Sequence, residues 1–111
     1  MNNLKKLASW LLIVSGLTHL SMPVVYGSDE DTNPVAMFGA LYVLIGALVL
    51  KEKRPALFAG VIFPTIGLIG ASATFKTSRI ALPISLFFMI VDVIVVPIFT
   101  RAIRQGELTT N

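Results

Sequence analysis

The chain has 111 residues, 55% of them hydrophobic and only 14% charged, and its mean hydropathy is +0.82. A typical soluble domain carries about 25% charged residues, so a water-soluble fold of this size is excluded: it would have too little polar surface to cover its apolar side chains. The net charge of +3 comes from bases that border apolar runs, a placement that fits lipid headgroups and topology control and argues against nucleic acid as a partner.

Four apolar runs follow one another, and a hydrocarbon core of about 30 Å needs about 20 helical residues to cross it. The first helix is expected over 7–26, after Lys5 and Lys6. The start of the chain has the layout of a signal peptide, but Val25, Tyr26 and Gly27 lack the usual Ala-x-Ala pattern, and we read the segment as a retained helix. Trp10 and Tyr26 lie near its two ends, where aromatic residues anchor a helix at the membrane interface. The second helix is expected over 34–50, with Asn33 as its cap, Pro34 in the first helical position and Lys51 snorkelling at its end. The third is expected over 56–75. The fourth is expected over 80–100, with Pro83 delaying its true start. The fold expected is all-α, a single transmembrane domain over 1–111 built as a four-helix up-down bundle.

The connections orient this bundle. The first loop contains Asp29, Glu30 and Asp31 and no base. With both termini in the cytoplasm, Lys5, Lys6, Lys51, Lys53, Arg54, Arg101 and Arg104 are inside, and only Lys76 and Arg79 are outside. This positive-inside bias predicts N-in, C-in, and the membrane expected is the plasma membrane of a prokaryote. The three consecutive acids have no Gly-centred calcium-loop pattern and read as a solvated turn.

Small residues recur seven apart on three helices, as Ser9 and Gly16, Gly39 and Gly46, Gly60 and Gly67. That spacing puts each pair on one helix face, where another backbone can approach. Pro23, Pro64 and Pro97 withdraw the donors that the carbonyls of His19, Gly60 and Val93 would otherwise meet.

Two ionisable side chains lie deep inside the runs, His19 and Asp92. An intramembrane carboxylate is costly and is a functional candidate for that reason. By helix rise Asp92 sits roughly 11 Å above the inner boundary and Thr65 roughly 14 Å, so an Asp92–Thr65 contact is expected. Ser85, seven residues before Asp92, shares its face. His19 shares a face with Ser15 and Gly16 and points into packed protein, at a height similar to Tyr42, so a His19–Tyr42 hydrogen bond is expected. No cysteine and no second histidine exist to complete a metal site, and no pattern for catalysis, nucleotide or cofactor binding is present.

The segment Gly16, Leu17, Thr18, His19 and Leu20, then Pro23, followed by Phe38 to Tyr42 and Gly46 to Leu50, resembles the first two helices of small DoxX-like four-helix membrane proteins. The resemblance covers about half the chain. It implies a four-helix bundle and, in some relatives, association with larger oxidoreductase systems, and it supplies no catalytic residue. The expected function is a non-catalytic subunit of a membrane complex, in contact with lipid and with other membrane subunits or further copies of itself. The alternative is a small proton- or cation-coupled transporter or channel using Asp92.

Overall fold

Apolar runs, interrupted within by no ionisable side chains but those of His19, Tyr42 and Asp92 and separated by glycine, charged turns and proline, fold into four helices. The computed structural model describes residues 3–30, 32–74 and 82–105. The helices are α1 (Asn3–Tyr26), α2 (Thr32–Leu50), α3 (Arg54–Thr74) and α4 (Leu82–Gln105). All four are long and apolar enough to cross a membrane. Asp31, the loop bases Lys76 and Arg79, and the expected bounds Phe75 and Ile80 lie outside the described residues.

α1 and α4 extend beyond the apolar runs. α1 begins four residues before Leu7 and takes in Lys5 and Lys6, and α4 continues through Arg101 and Arg104 to Gln105. Basic side chains are good helix formers and reach the interface on their stems, so the end of the apolar run does not end the helix. α4 begins at Leu82, one residue before Pro83, as the proline's tolerance for the first helical turn requires. Pro23, Pro64 and Pro97 all lie inside continuous helices.

The turn between α1 and α2 corrects the expected cap. Asp29, not Asn33, caps α2. Its Oδ1 accepts from the Thr32 amide at 3.0 Å, while Thr32 Oγ1 accepts from the Asp29 amide at 3.1 Å. This is a reciprocal capping box whose cap lies four residues upstream of the Asn33 cap that the Asn-Pro pair suggests. Thr32 Oγ1 also donates to the Gly27 carbonyl at 2.6 Å. Gly27 itself has a φ of 89°, the left-handed conformation that closes many helices. Asn33 instead accepts from Ser28 Oγ at 2.7 Å. α2 ends in a Schellman arrangement: the Lys53 amide donates to Leu48 O at 3.0 Å and the Glu52 amide to Val49 O at 2.8 Å. Glu52 takes the left-handed position, with a φ of 59°.

Close approaches link α1 to α2, α2 to α3, α3 to α4 and α1 to α4, so the helices form a closed ring of four. The buried positions of α1 include Lys5, Ala8, Leu12, Ser15, His19 and Met22. Those of α4 include Ser85, Phe88, Asp92, Val95, Phe99 and Ala102. Both series alternate steps of three and four, the seam of a left-handed bundle. The expected small-residue contacts form. A Cβ on Gly16 would stand 2.7 Å from Gly39 O, one on Gly39 2.6 Å from Gly16 O, and one on Gly46 2.7 Å from Ser9 O. Ser9 thus meets Gly46 and Gly16 meets Gly39, so α1 and α2 run antiparallel. Gly60 and Gly67 act differently, because each receives a ring end rather than a backbone: Gly60 faces the Phe99 ring and Gly67 the Tyr42 hydroxyl.

Candidate functional site, a polar seam through the bundle

The seam positions place His19 on α1 and Asp92 on α4 inside the bundle, where they are 6% and 2% exposed. Tyr42, from α2, is 1% exposed and lies between them. Its Oη donates to Asp92 Oδ1 at 3.0 Å. α2 and α4 do not approach each other through their backbones, so this bond crosses the middle of the ring of helices. Gly67 on α3 makes room for it. A Cβ there would stand 2.6 Å from Tyr42 Oη and 3.5 Å from Asp92 Oδ2.

His19 is held by its own helix. Its Nδ1 lies 2.6 Å from Ser15 O, and 3.3 Å from Ser15 Oγ. A carbonyl oxygen only accepts, so Nδ1 carries the proton of this bond. The ring stacks on Phe88 of α4 with centroids 3.7 Å apart and planes 22° apart, and meets Tyr42 edge-on at 5.1 Å. Phe38 also packs edge-on against Tyr42, at 6.1 Å. The imidazole therefore packs against two rings, one stacked and one edge-on, while one nitrogen is satisfied by the backbone.

Two expected pairings are corrected. The Asp92–Thr65 contact does not form, because Thr65 Oγ1 donates to the Val61 carbonyl at 2.6 Å, one turn back on its own helix. A hydroxyl that bonds locally keeps its helix intact without needing a partner across the bundle. The His19–Tyr42 hydrogen bond is replaced by a ring contact, since the Tyr42 hydroxyl is taken by Asp92 and Nδ1 by Ser15. Ser85 is buried on the Asp92 face. Seven residues of rise, roughly 10 Å, keep it from the carboxylate, and no bond between them exists among the described residues. The structure thus brings together Tyr42, Asp92 and His19 and leaves Thr65 and Ser85 apart.

The partner of Asp92 is Tyr42, which helix rise alone places level with His19. The signal available was its reach: the hydroxyl lies a whole ring beyond its Cα and can cross from one layer of side chains to the next.

Chemically, the seam is a tyrosine hydroxyl on a carboxyl group, flanked by a backbone-anchored imidazole. Among the described residues no three His, Cys, Asp or Glu side chains group together as metal ligands do. No protein-family model, curated protein or solved structure matches the chain.

Proposed function

We propose that the chain is a non-catalytic integral membrane subunit that packs against and stabilises a larger membrane complex, of the kind built around a membrane-bound oxidase or monooxygenase. In this reading the bundle alternates up and down, with both termini on the cytoplasmic side of a prokaryotic plasma membrane. The supporting observation is how the polar groups are used. Tyr42 is committed to Asp92 and the His19 Nδ1 to Ser15, while the outer surface presents large apolar side chains such as Leu17, Val24, Met37 and Ile69. Such a molecule offers helix faces for packing and spends its interior chemistry on holding itself together. The oxidoreductase partner is suggested by the DoxX-like pattern around His19 and Tyr42.

The test is extraction of the chain from its native membrane in mild detergent, followed by native mass measurement. A stoichiometric assembly with one or more defined membrane proteins is the expected result. A lone monomer or a simple homo-oligomer, stable and without companions, would remove this reading. Orientation is tested separately. The chain has no cysteine, so Ser28→Cys and Lys53→Cys each carry one label site, and a membrane-impermeant maleimide should react with the first from outside intact cells and not with the second.

A second reading is a small proton- or cation-coupled transporter or channel. It draws on the contiguity of His19, Tyr42 and Asp92, three titratable side chains from three helices at one level. It requires flux in liposomes that Asp92→Asn abolishes. Absence of flux from the wild type, or flux unchanged in the variant, removes it.

A further inference from the structure

α3 is built in two halves. The first is packed: Ala56, Leu57, Ala59, Val61 and Phe63 all belong to the main apolar core. Beyond Pro64 no described residue of α3 enters either hydrophobic cluster, and the second cluster, around Met22 and Phe88, is built by α1, α2 and α4 alone. In this second half Leu68 and Ala71 stay half-buried. Ile66 and Ile69 are 49% and 66% exposed, and a Cβ on Gly70 would meet nothing within 4 Å.

The junction between the halves is the weakest backbone of the helix. Pro64 has no amide hydrogen to give the Gly60 carbonyl. The next carbonyl, that of Val61, takes the Thr65 hydroxyl at 2.6 Å, and such back-bonding weakens and bends a helix. Sharp bends in helices arise at prolines and at such intrusions into the hydrogen-bond ladder.

The second half covers the Asp92 carboxyl. Oδ1 accepts from Tyr42, and Oδ2 faces α3, since a Cβ on Gly67 would stand 3.5 Å from it. Gly67 lies two residues beyond Thr65, on the loosely packed side of the junction. Swinging this half outward uncovers Oδ2 without breaking the Tyr42 bond, which α2 and α4 make between themselves.

We propose that the half of α3 beyond Thr65 is a gate, hinged at Gly60–Thr65, that opens the Asp92 carboxyl to proton exchange and to reagents dissolved in the membrane. The inference supplies the access that the transporter reading requires and does not rest on flux. A gated carboxyl in a chain without flux removes that reading and leaves the gate. Flux with an ungated carboxyl does the reverse.

The test uses the full chain in liposomes with dicyclohexylcarbodiimide, which enters from the bilayer. The acid proton passes to a carbodiimide nitrogen, the carboxylate oxygen bonds the central carbon, and a shift from oxygen to nitrogen leaves a stable N-acylurea with the whole mass of the reagent. Fragment masses should place this adduct on Asp92. Pro64→Ala, which returns a donor to the Gly60 carbonyl, should slow its formation about threefold or more, the worth of one hydrogen bond. Thr65→Val should act in the same direction. Pro23→Ala, the same change within α1, should leave the rate unaltered. Hydrogen exchange followed by mass should be faster over residues 66–74 than over 56–63, and Pro64→Ala should narrow the difference. No adduct on Asp92 overturns the proposal. So does a rate that Pro64→Ala and Thr65→Val leave intact or that Pro23→Ala lowers as much, or equal exchange in the two halves.

Discussion

Replacing Tyr42 by Phe removes one atom from the middle of the bundle and nothing else. The ring keeps its edge contacts with His19 and Phe38, and the hydroxyl that donates to Asp92 at 3.0 Å is lost. In soluble proteins, leaving a buried polar group without its partner costs about 1–3 kcal/mol. Hydrogen bonds between membrane helices average about 0.6 kcal/mol and reach about 1.7, because the alternatives in the bilayer also find partners. Here two features favour the upper end. Both residues are almost wholly buried, and α2 and α4 have no backbone approach that would let another group take over. The expected loss is about 1.5 kcal/mol, a little over tenfold in the folding constant. Asp92→Leu keeps the branched shape and orphans the Tyr42 hydroxyl instead, and the double variant leaves neither group wanting. Reversible unfolding of all four proteins in mixed micelles, followed by helical circular dichroism, gives the coupling. We expect about 1 kcal/mol or more. A coupling within about 0.3 kcal/mol of zero, the usual error of additivity, would falsify the reasoning, because the bond would then contribute nothing that separate truncations do not.

The close approach of α1 and α2 gives a second expectation. Gly39→Ala should cost about 3 kcal/mol in the same assay, because its Cβ would meet Gly16 O, His19 Cβ and the Leu20 amide all within 2.8 Å, and two of these are backbone. Gly70→Ala, where nothing lies within 4 Å, should be neutral or slightly stabilising, and a comparable loss there would show that glycine matters for some reason other than space. Glu52→Gly should stabilise by about 0.5–1 kcal/mol, since Glu52 holds a left-handed φ of 59° that glycine adopts without penalty; no gain in the unfolding midpoint would mean that the turn has another use for the carboxylate. Trp10, the single tryptophan, is 55% exposed and lies about 10 Å along α1 from its first residue. Its fluorescence should be quenched by brominated lipid and not by aqueous iodide, and the reverse pattern would place this face in water.

Much of the fold could be read from where charge is absent. Each apolar run is long enough to cross a membrane, and the interruptions are glycine, proline and charged turns, so the number and type of elements follow from hydropathy alone. The helix ends were less legible. Lys5 and Arg101 lie within helices because a basic side chain is compatible with helical backbone and tells only where hydrocarbon ends. The Asp29 cap was obscured because Asn33 and Pro34 form a stronger local pattern than Asp29 and Thr32, whose bonds depend on the path of the turn. The faces were legible too. Ser9 and Gly16 meet Gly46 and Gly39 because a seven-residue spacing fixes a face whatever the partner.

Partners inside the bundle were the least legible, and the reason is geometrical. Helix rise gives a height, and heights placed His19 with Tyr42 and Asp92 with Thr65. Height says nothing of reach or of competition. Thr65 is short and satisfies itself on Val61, and His19 does the same on Ser15. Tyr42 has no carbonyl within range of its distant hydroxyl on its own helix, so it must find an acceptor across the bundle, and Asp92 must find a donor. The pair follows once local bonds are assigned first and long side chains are matched last. That order also explains why Gly67 is a glycine: the hydroxyl and the carboxyl meet against α3, and a side chain there would occupy the space in which they meet.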